Sequence, residues 1–255
     1  MYSKGVNLII KVFADYHTHT LYSHGKGSIK ENIEAAISRG LKEVCISDHG
    51  PRSHGFKRLG VKEPEVLLEV KKKVEGYNRV YPEIEVLAGV EANIIDLEGN
   101  IDIPDYIIKE LDLILVGLHL FIRPPDLEFF SNVICDNLVT EKLGFKREVI
   151  RRRNTEIIIK VLRKYNVDIL THPGYRVNIN TRRLAKVAKA EGTALEINES
   201  HSYLSEEMVK VAAKEGVNFA LGSDAHSPRD VGKVDKALAL AKRVGLRAND
   251  IINVE

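Results

Sequence analysis

The sequence predicts an α/β fold in which parallel βα units close into a barrel, and three observations carry that reading. Seven short β-branched or apolar runs alternate with longer helical segments, several of those runs are apolar throughout, and six of the seven end in His, Asp or Glu. Parallel neighbours need crossover connections, which the intervening helices supply. Strands without a polar face belong to a sheet that is covered on both sides.

The elements follow in order. Residues 11–16 (KVFADY) read as the first strand and 28–39 (SIKENIEAAISR) as the first helix. Ser28 is its N-cap, Glu31 three residues on completes a capping box, and Gly40 supplies the stop. The second strand is 43–47 (EVCIS), followed by a helix at 65–80 and strands at 84–90 and 111–117, the latter reading LDLILVG. A helix at 149–165, a strand at 167–171, a helix at 181–191 and a strand at 194–198 continue the alternation. The chain finishes with a helix at 206–215, a strand at 217–222 and a helix at 233–244.

Composition sets the outer bounds. The 255 residues carry 38 Lys+Arg against 36 Asp+Glu, a net charge of +2 that argues against a strongly basic nucleic-acid coat. The hydrophobic share of 44% is enough for a core, and α/β barrels of about this length form one domain. No apolar run approaches the ~18 residues of a membrane span, and the opening MYSKGVNLIIKVF is too short an apolar stretch for a secretory leader. Two cysteines, Cys45 and Cys135, make no disulfide scaffold, so a cytoplasmic setting is expected.

The polar strand ends decide between an open sheet and a closed barrel. The first strand runs into His17, Thr18 and His19 with His24 beyond; the second ends at Asp48 and His49, the third at Glu91, the fourth at His119. The fifth ends at His172, the seventh at Asp224 and His226, while the sixth contributes Glu196 and Asn198. Side chains at i and i+2 share a face of a strand, so His17 with His19, and Asp224 with His226, can each grip one ion. Asp15 has the parity of His17 and is expected to hold its ring, with Glu196 in a similar buried role. Alone, an HxH pair is ordinarily a surface feature, and a lone His after a strand is ordinarily a hydrogen-bonded residue. Here seven of nine histidines sit at strand ends, and only His54 and His201 do not. Ligands from so many strands converge only where the ends form a ring, which predicts a metal site on the C-terminal face of a barrel.

DYHTHT, CISDHGP, GVEANIIDLEGNID, LDLILVGLH, ILTHPG, ALEINES and ALGSDAH, in that order from Asp15 to His226, resemble the PHP (polymerase and histidinol phosphatase) superfamily of metal-dependent phosphoesterases, particularly its YcdX-like branch. The resemblance implies a single domain over residues 1–255 with a distorted, TIM-like barrel of seven βα units. It also implies three divalent ions, zinc first, with iron or manganese as alternatives. One ion would take His17, His19, Glu91 and Asp224, a second His24, His49 and His226, and a third Glu91, His119 and His172. Three such ions against two ligand carboxylates leave a charge of about +4, which attracts phosphate dianions and activates water. A hydroxide bridging two ions is then the expected nucleophile, and the expected activity is hydrolysis of small-molecule phosphate monoesters.

Glu91, Asp224 and His226 form the expected catalytic group together with Arg52 and Arg176, which follow SDHGP and HPGY and are read as phosphate contacts. Arg229, His54 and His201 lie on loops of the same face. Compact family members lack the expanded segment at about 121–155, which is expected over the site, where loops set substrate choice. Lys142, Lys146, Arg147, Arg151, Arg152 and Arg153 form a basic cluster, but Ile150, Ile157, Ile158, Val161 and Leu162 make this an amphipathic helix with a solvated face. Rival readings are a histidinol phosphatase, a nucleotide phosphatase or 3′–5′ exonuclease, and a non-catalytic metal-binding or scaffolding module. Amidohydrolases also use HxH on a barrel, but many need a lysine at a strand end, and none stands there. Oligomeric state leaves no mark in the sequence.

Overall fold

Seven strands, all parallel and in sequential order, form the centre of the computed structural model, which describes residues 10–55, 57–143, 147–201 and 204–255. The first half contains β1 (Ala14–Thr18), α1 (Ile29–Ser38), β2 (Glu43–Ile46), α2 (Val66–Val80), β3 (Glu85–Asn93), α3 (Asp105–Ile108) and β4 (Leu113–Gly117). Next come α4 (Leu127–Phe129), a π-helical stretch Phe130–Cys135, α5 (Asp136–Leu143) and α6 (Arg147–Lys164). The second half contains β5 (Ile169–Leu170), α7 (Thr181–Glu191), β6 (Ala194–Asn198), α8 (Glu206–Lys214), β7 (Phe219–Gly222) and α9 (Asp235–Val244). The opening residues 1–9 and Lys146 lie outside the described residues, as does the side chain of Lys142.

The expected α/β barrel is present, with its distortion at the seam between β7 and β1. There the two strands meet only at their upper ends, where Ala225 N donates to His17 O at 3.2 Å and His19 N donates to Ala225 O at 2.8 Å. Lower down, the C-terminal residues fill the gap. Asn253, fully buried, donates through Nδ2 to both Ala14 O and Leu221 O at 2.8 Å and accepts from Leu221 N at 2.9 Å. One side chain thus stands in for the missing ladder. Replacing Asn253 by alanine leaves three buried backbone groups unpaired, and we expect a loss of about 3 kcal/mol in urea unfolding.

Inside the barrel, layers follow the period of two. Leu115, Ile169, Ala194 and Ala220 form an apolar floor with Tyr16 and Leu113 packed against it. Two residues further up their strands stand Gly117, Thr171, Glu196 and Gly222, and beyond them the ligand layer begins. The glycines make room for that layer. A Cβ on Gly222 would lie 1.9 Å from Glu196 Oε1, and one on Gly117 would lie 2.4 Å from the His119 ring. The capping box of Ser28 and Glu31 is formed as expected, and Gly40 at φ +71° ends that helix.

The segment at 121–155 is mostly helical, and it buries Phe129, Val133 and Ile134 in the core shared by β3–β7. Asn137 and Asn154 pair through their amides, tying α5 to α6. In the basic cluster Arg151 pairs with Glu148 at 2.6 Å and Arg153 with Asp136 at 2.9 Å. These pairs neutralise two of the four arginines of that cluster. No helix among the described residues is long and apolar enough to cross a membrane.

Candidate metal centre

All nine ligand candidates converge at the C-terminal ends of the strands. His17 Nε2 lies 3.3 Å from Glu91 Oε2 and 3.6 Å from Asp224 Oδ1, and His19 Nε2 lies 3.7 and 3.3 Å from the same two oxygens. Ligands held about 2.1 Å from one tetrahedral ion stand ~3.4 Å apart, so these four atoms have the spacing of a coordination shell. Glu91 reaches three further rings: Oε2 is 2.6 Å from His49 Nδ1, and Oε1 is 3.0 Å from both His119 Nε2 and His172 Nε2. His19, His49 and His226 form another group whose ligand atoms lie within 4.8 Å of one another. His24 packs on this group, with ring centroids 4.9 Å from His49 and 4.2 Å from His226. His19 and His49 therefore each stand in two groups, a sharing that the family-implied partition lacks. His172 and Asp224 hold left-handed φ values of +28° and +54°, which cost non-glycine residues about 1–3 kcal/mol and cluster at working sites.

The outer ring nitrogens are tied down by groups that can only accept. His17 Nδ1 donates to Glu196 Oε1 at 2.6 Å, His24 Nδ1 to Leu59 O at 3.1 Å, His119 Nδ1 to Asn93 Oδ1 at 2.8 Å and His226 Nδ1 to Asp224 O at 3.0 Å. Each bond fixes the tautomer that leaves Nε2 with a lone pair. Asn93 is oriented in turn by Asp102, which accepts from its Nδ2 at 2.6 Å. Replacing Asn93 by alanine should weaken metal binding 10- to 100-fold in a chelator competition titration.

Charge favours the same arrangement. Burial raises the pKa of Glu91, but His49, His17 and His119 outweigh it and hold the carboxyl well below its usual range. Asp224 is likewise held down, against burial, by His17 and His19. Burial and the neighbouring His49 and His226 keep His19 well below the usual histidine value and His24 at about 4. Burial also lowers His119 and His226. His17 and His172 go the other way: burial lowers them, but the surrounding carboxylates win.

Six buried atoms of this cluster have no hydrogen-bond partner: His17 Nε2, both nitrogens of His19, His49 Nδ1, Glu91 Oε2 and His226 Nε2. His49 Nδ1 and Glu91 Oε2 are close, but they are not aligned for a hydrogen bond. Unpaired, such atoms cost about 1–3 kcal/mol each, a sum comparable to the entire stability of a domain. Histidines kept only for packing do not leave that debt, whereas divalent cations would satisfy all of these atoms except the protonated nitrogen of His19.

Several expectations are corrected. Asp15 does not hold the His17 ring, because a β-bulge between Asp15 and Thr18 breaks the parity. Its carboxylate accepts instead from Ser223 and from Gly232 N, and the His17 ring goes to Glu196. Asp48 is no ligand candidate, since it accepts from Thr20 and Ser23 and so anchors the loop that carries His24. Arg52 is drawn away from the cavity: Arg123 N donates to its carbonyl at 2.7 Å, and its Nη1 donates to Arg123 O. Arg229 pairs with Asp230, and His54 is exposed with its Nδ1 on Gly55 O. Arg176 and His201 do line the cavity of about 150 Å³ over the metal ligands. Among the described residues of the segment at 121–155, Phe121 alone reaches that cavity, together with Leu120 just before it. The sequence reading passed over Asn93 and Tyr175. Asn93 carried a usable signal, being two residues beyond Glu91 on the same face of β3.

Comparison with known proteins agrees with this geometry. Residues 15–200 match the PHP domain family. A protein of Thermoanaerobacter sp. named "Probable phosphatase" is 34% identical over 259 residues, covering 96% of this chain and 92% of the relative. A second, from Clostridium botulinum and also named "Probable phosphatase", is 33% identical over 257 residues with the same coverage. Among solved structures, the histidinol phosphate phosphatase of Lactococcus lactis, complexed with zinc, L-histidinol and phosphate, shares the fold. Its TM-score is 0.64 at 18% identity, covering 92% of this chain and 94% of that one. Neither relative singles out the YcdX-like branch.

Proposed function

The chain belongs to the PHP domain family, and from that premise we propose that it is a metal-dependent phosphatase acting on small-molecule phosphate monoesters at a centre of three divalent ions. One observation carries this reading: His17 Nε2, His226 Nε2, His49 Nδ1, Glu91 Oε2 and the His19 ring are buried without partners in one cluster, while Nδ1 of His17 and of His226 is tied down. When bound, divalent ions would supply Lewis acidity and a water of lowered pKa. Histidine-rich ligation suits zinc first, with iron or manganese as alternatives.

The chain's own residues do the rest. Glu91 and Asp224 provide the two negative charges among the nine ligands, so the loaded site stays cationic enough to draw in a phosphate dianion. Glu196 fixes His17 through Oε1 and accepts from His172 N through Oε2 at 2.7 Å, locking ligands of β1 and β5 into one frame. His226 and His24 hold the outer group, and Arg176 adds a cation at the rim. A cavity of about 150 Å³ is below the ~300 Å³ of pockets for drug-sized ligands, which supports a compact substrate over a polynucleotide.

The test is a phosphate-release screen over sugar phosphates, nucleotides, histidinol phosphate and p-nitrophenyl phosphate, run beside a His17→Ala, Asp224→Ala double variant. Release that depends on divalent metal and vanishes in the variant is the expected result. A fully loaded protein that releases phosphate from none of these compounds would sink the proposal.

A further inference from the structure

We propose that Arg176 determines specificity by binding a second anionic group, a carboxylate or second phosphate, carried by the alcohol part of the substrate; this rests on the phosphatase reading above. The argument begins with the backbone. Arg176 adopts φ +56° in the loop between β5 and α7, a conformation that costs a non-glycine residue about 1–2 kcal/mol and persists only where the surroundings impose it. The surroundings here are two aromatic faces. The guanidinium carbon lies 5.3 Å from the centroid of the Phe121 ring and 5.7 Å from that of Tyr175, within the range of cation–π attraction.

The guanidinium so held has no anion of its own. Arg151, Arg153, Arg183 and Arg247 each pair with a carboxylate. Arg176 pairs with none among the described residues, and its Nε is buried without a hydrogen-bond partner. A rigid fork of five donors at the rim of a cavity is suited to a bidentate anion.

Its place says which anion. The Tyr175 ring packs against the ligand His172, with centroids 5.4 Å apart, and stacks on His201 at 4.3 Å. Arg176 lines the same cavity as the ligand histidines, but its guanidinium is held on the rings of Phe121 and Tyr175 and not within the ligand cluster. The ions serve the phosphoryl group; Arg176 is positioned for what the phosphoryl group is attached to. Phe121, half of whose surface is exposed, comes from the expanded segment, which thereby takes part in substrate choice through one side chain.

The experiment measures kcat/KM of the metal-loaded enzyme on two matched pairs: phosphoglycolate against ethyl phosphate, and ethylene glycol bisphosphate against its monophosphate. We expect the wild type to prefer the member with the second anion by about tenfold in at least one pair, mainly through KM. The two pairs distinguish a carboxylate from a second phosphate. Arg176→Met should bring that ratio to near one, Arg176→Lys should keep part of it, and Phe121→Ala should reduce it by loosening the guanidinium. A wild-type ratio at or below one in both pairs would overturn the assignment. So would an Arg176→Met enzyme that loses equally on both members, which would put Arg176 on the phosphoryl group. Should Arg176→Met fail to fold, an unchanged ratio in Phe121→Ala overturns it. No release from any of the four compounds by the wild type would remove the phosphatase reading as well.

Discussion

Replacing Glu91 by glutamine should lower phosphatase kcat by about a thousandfold and release at least one metal ion per chain. Glu91 is fully buried, and its two oxygens lie within 3.3 Å of nitrogens on His17, His49, His119 and His172. No other side chain among the described residues is paired with ligands from so many strands. Glutamine keeps the shape, removes the charge, and turns an NH₂ donor toward nitrogens whose lone pairs must stay free. Losing one donor that stabilises a transition state costs about 10²–10³ in rate, and here the change also removes metal. Steady-state kinetics beside elemental analysis of the same sample would check this. A variant with wild-type rate and full metal content would show that Glu91 is not a ligand.

Chelation should be nearly as severe, and it affects stability as well as rate. Dialysis against a strong chelator leaves the six unpartnered buried atoms of the site exposed to one another and to whatever water enters. A ligand bound only by the folded state, at a thousand times its dissociation constant, contributes about 4 kcal/mol. For a chain of this size that corresponds to roughly 10 °C in Tm. We therefore expect the apo protein to be inactive and to melt about 10 °C lower in calorimetry, with both properties restored by zinc or manganese. Unchanged melting after complete metal removal would mean that the cluster is satisfied without ions.

The sequence made the fold legible where the signals are local. Alternating runs, the capping box at Ser28 and the glycine stop at Gly40 need only neighbouring residues, and they appear as expected. The convergence of the strand ends was legible for a similar reason, since His17, Glu91, His119, His172 and Asp224 each stand within two residues of a strand's C-terminal end. What escaped depends on contacts distant in sequence. Asn253 closes the seam against Ala14, 239 residues away, and nothing in its vicinity announces that. The bulge in β1 reversed the parity argument for Asp15, because one irregular residue shifts every side chain after it to the other face. Arg52 follows its histidine motif in the chain, yet a backbone pairing with Arg123 turns it aside. The stack of Phe121, Arg176 and Tyr175 joins a residue after β4 to two after β5, a contact that only the folded chain creates.

Anomalous diffraction from crystals of the zinc-loaded protein tests the central claim most directly, because it locates ions without assuming activity. The account predicts three peaks within the cluster: one between His17, His19, Glu91 and Asp224, one beside Glu91, His119 and His172, and one among His24, His49 and His226. No peak among these side chains, in protein that elemental analysis shows to carry zinc, would contradict it.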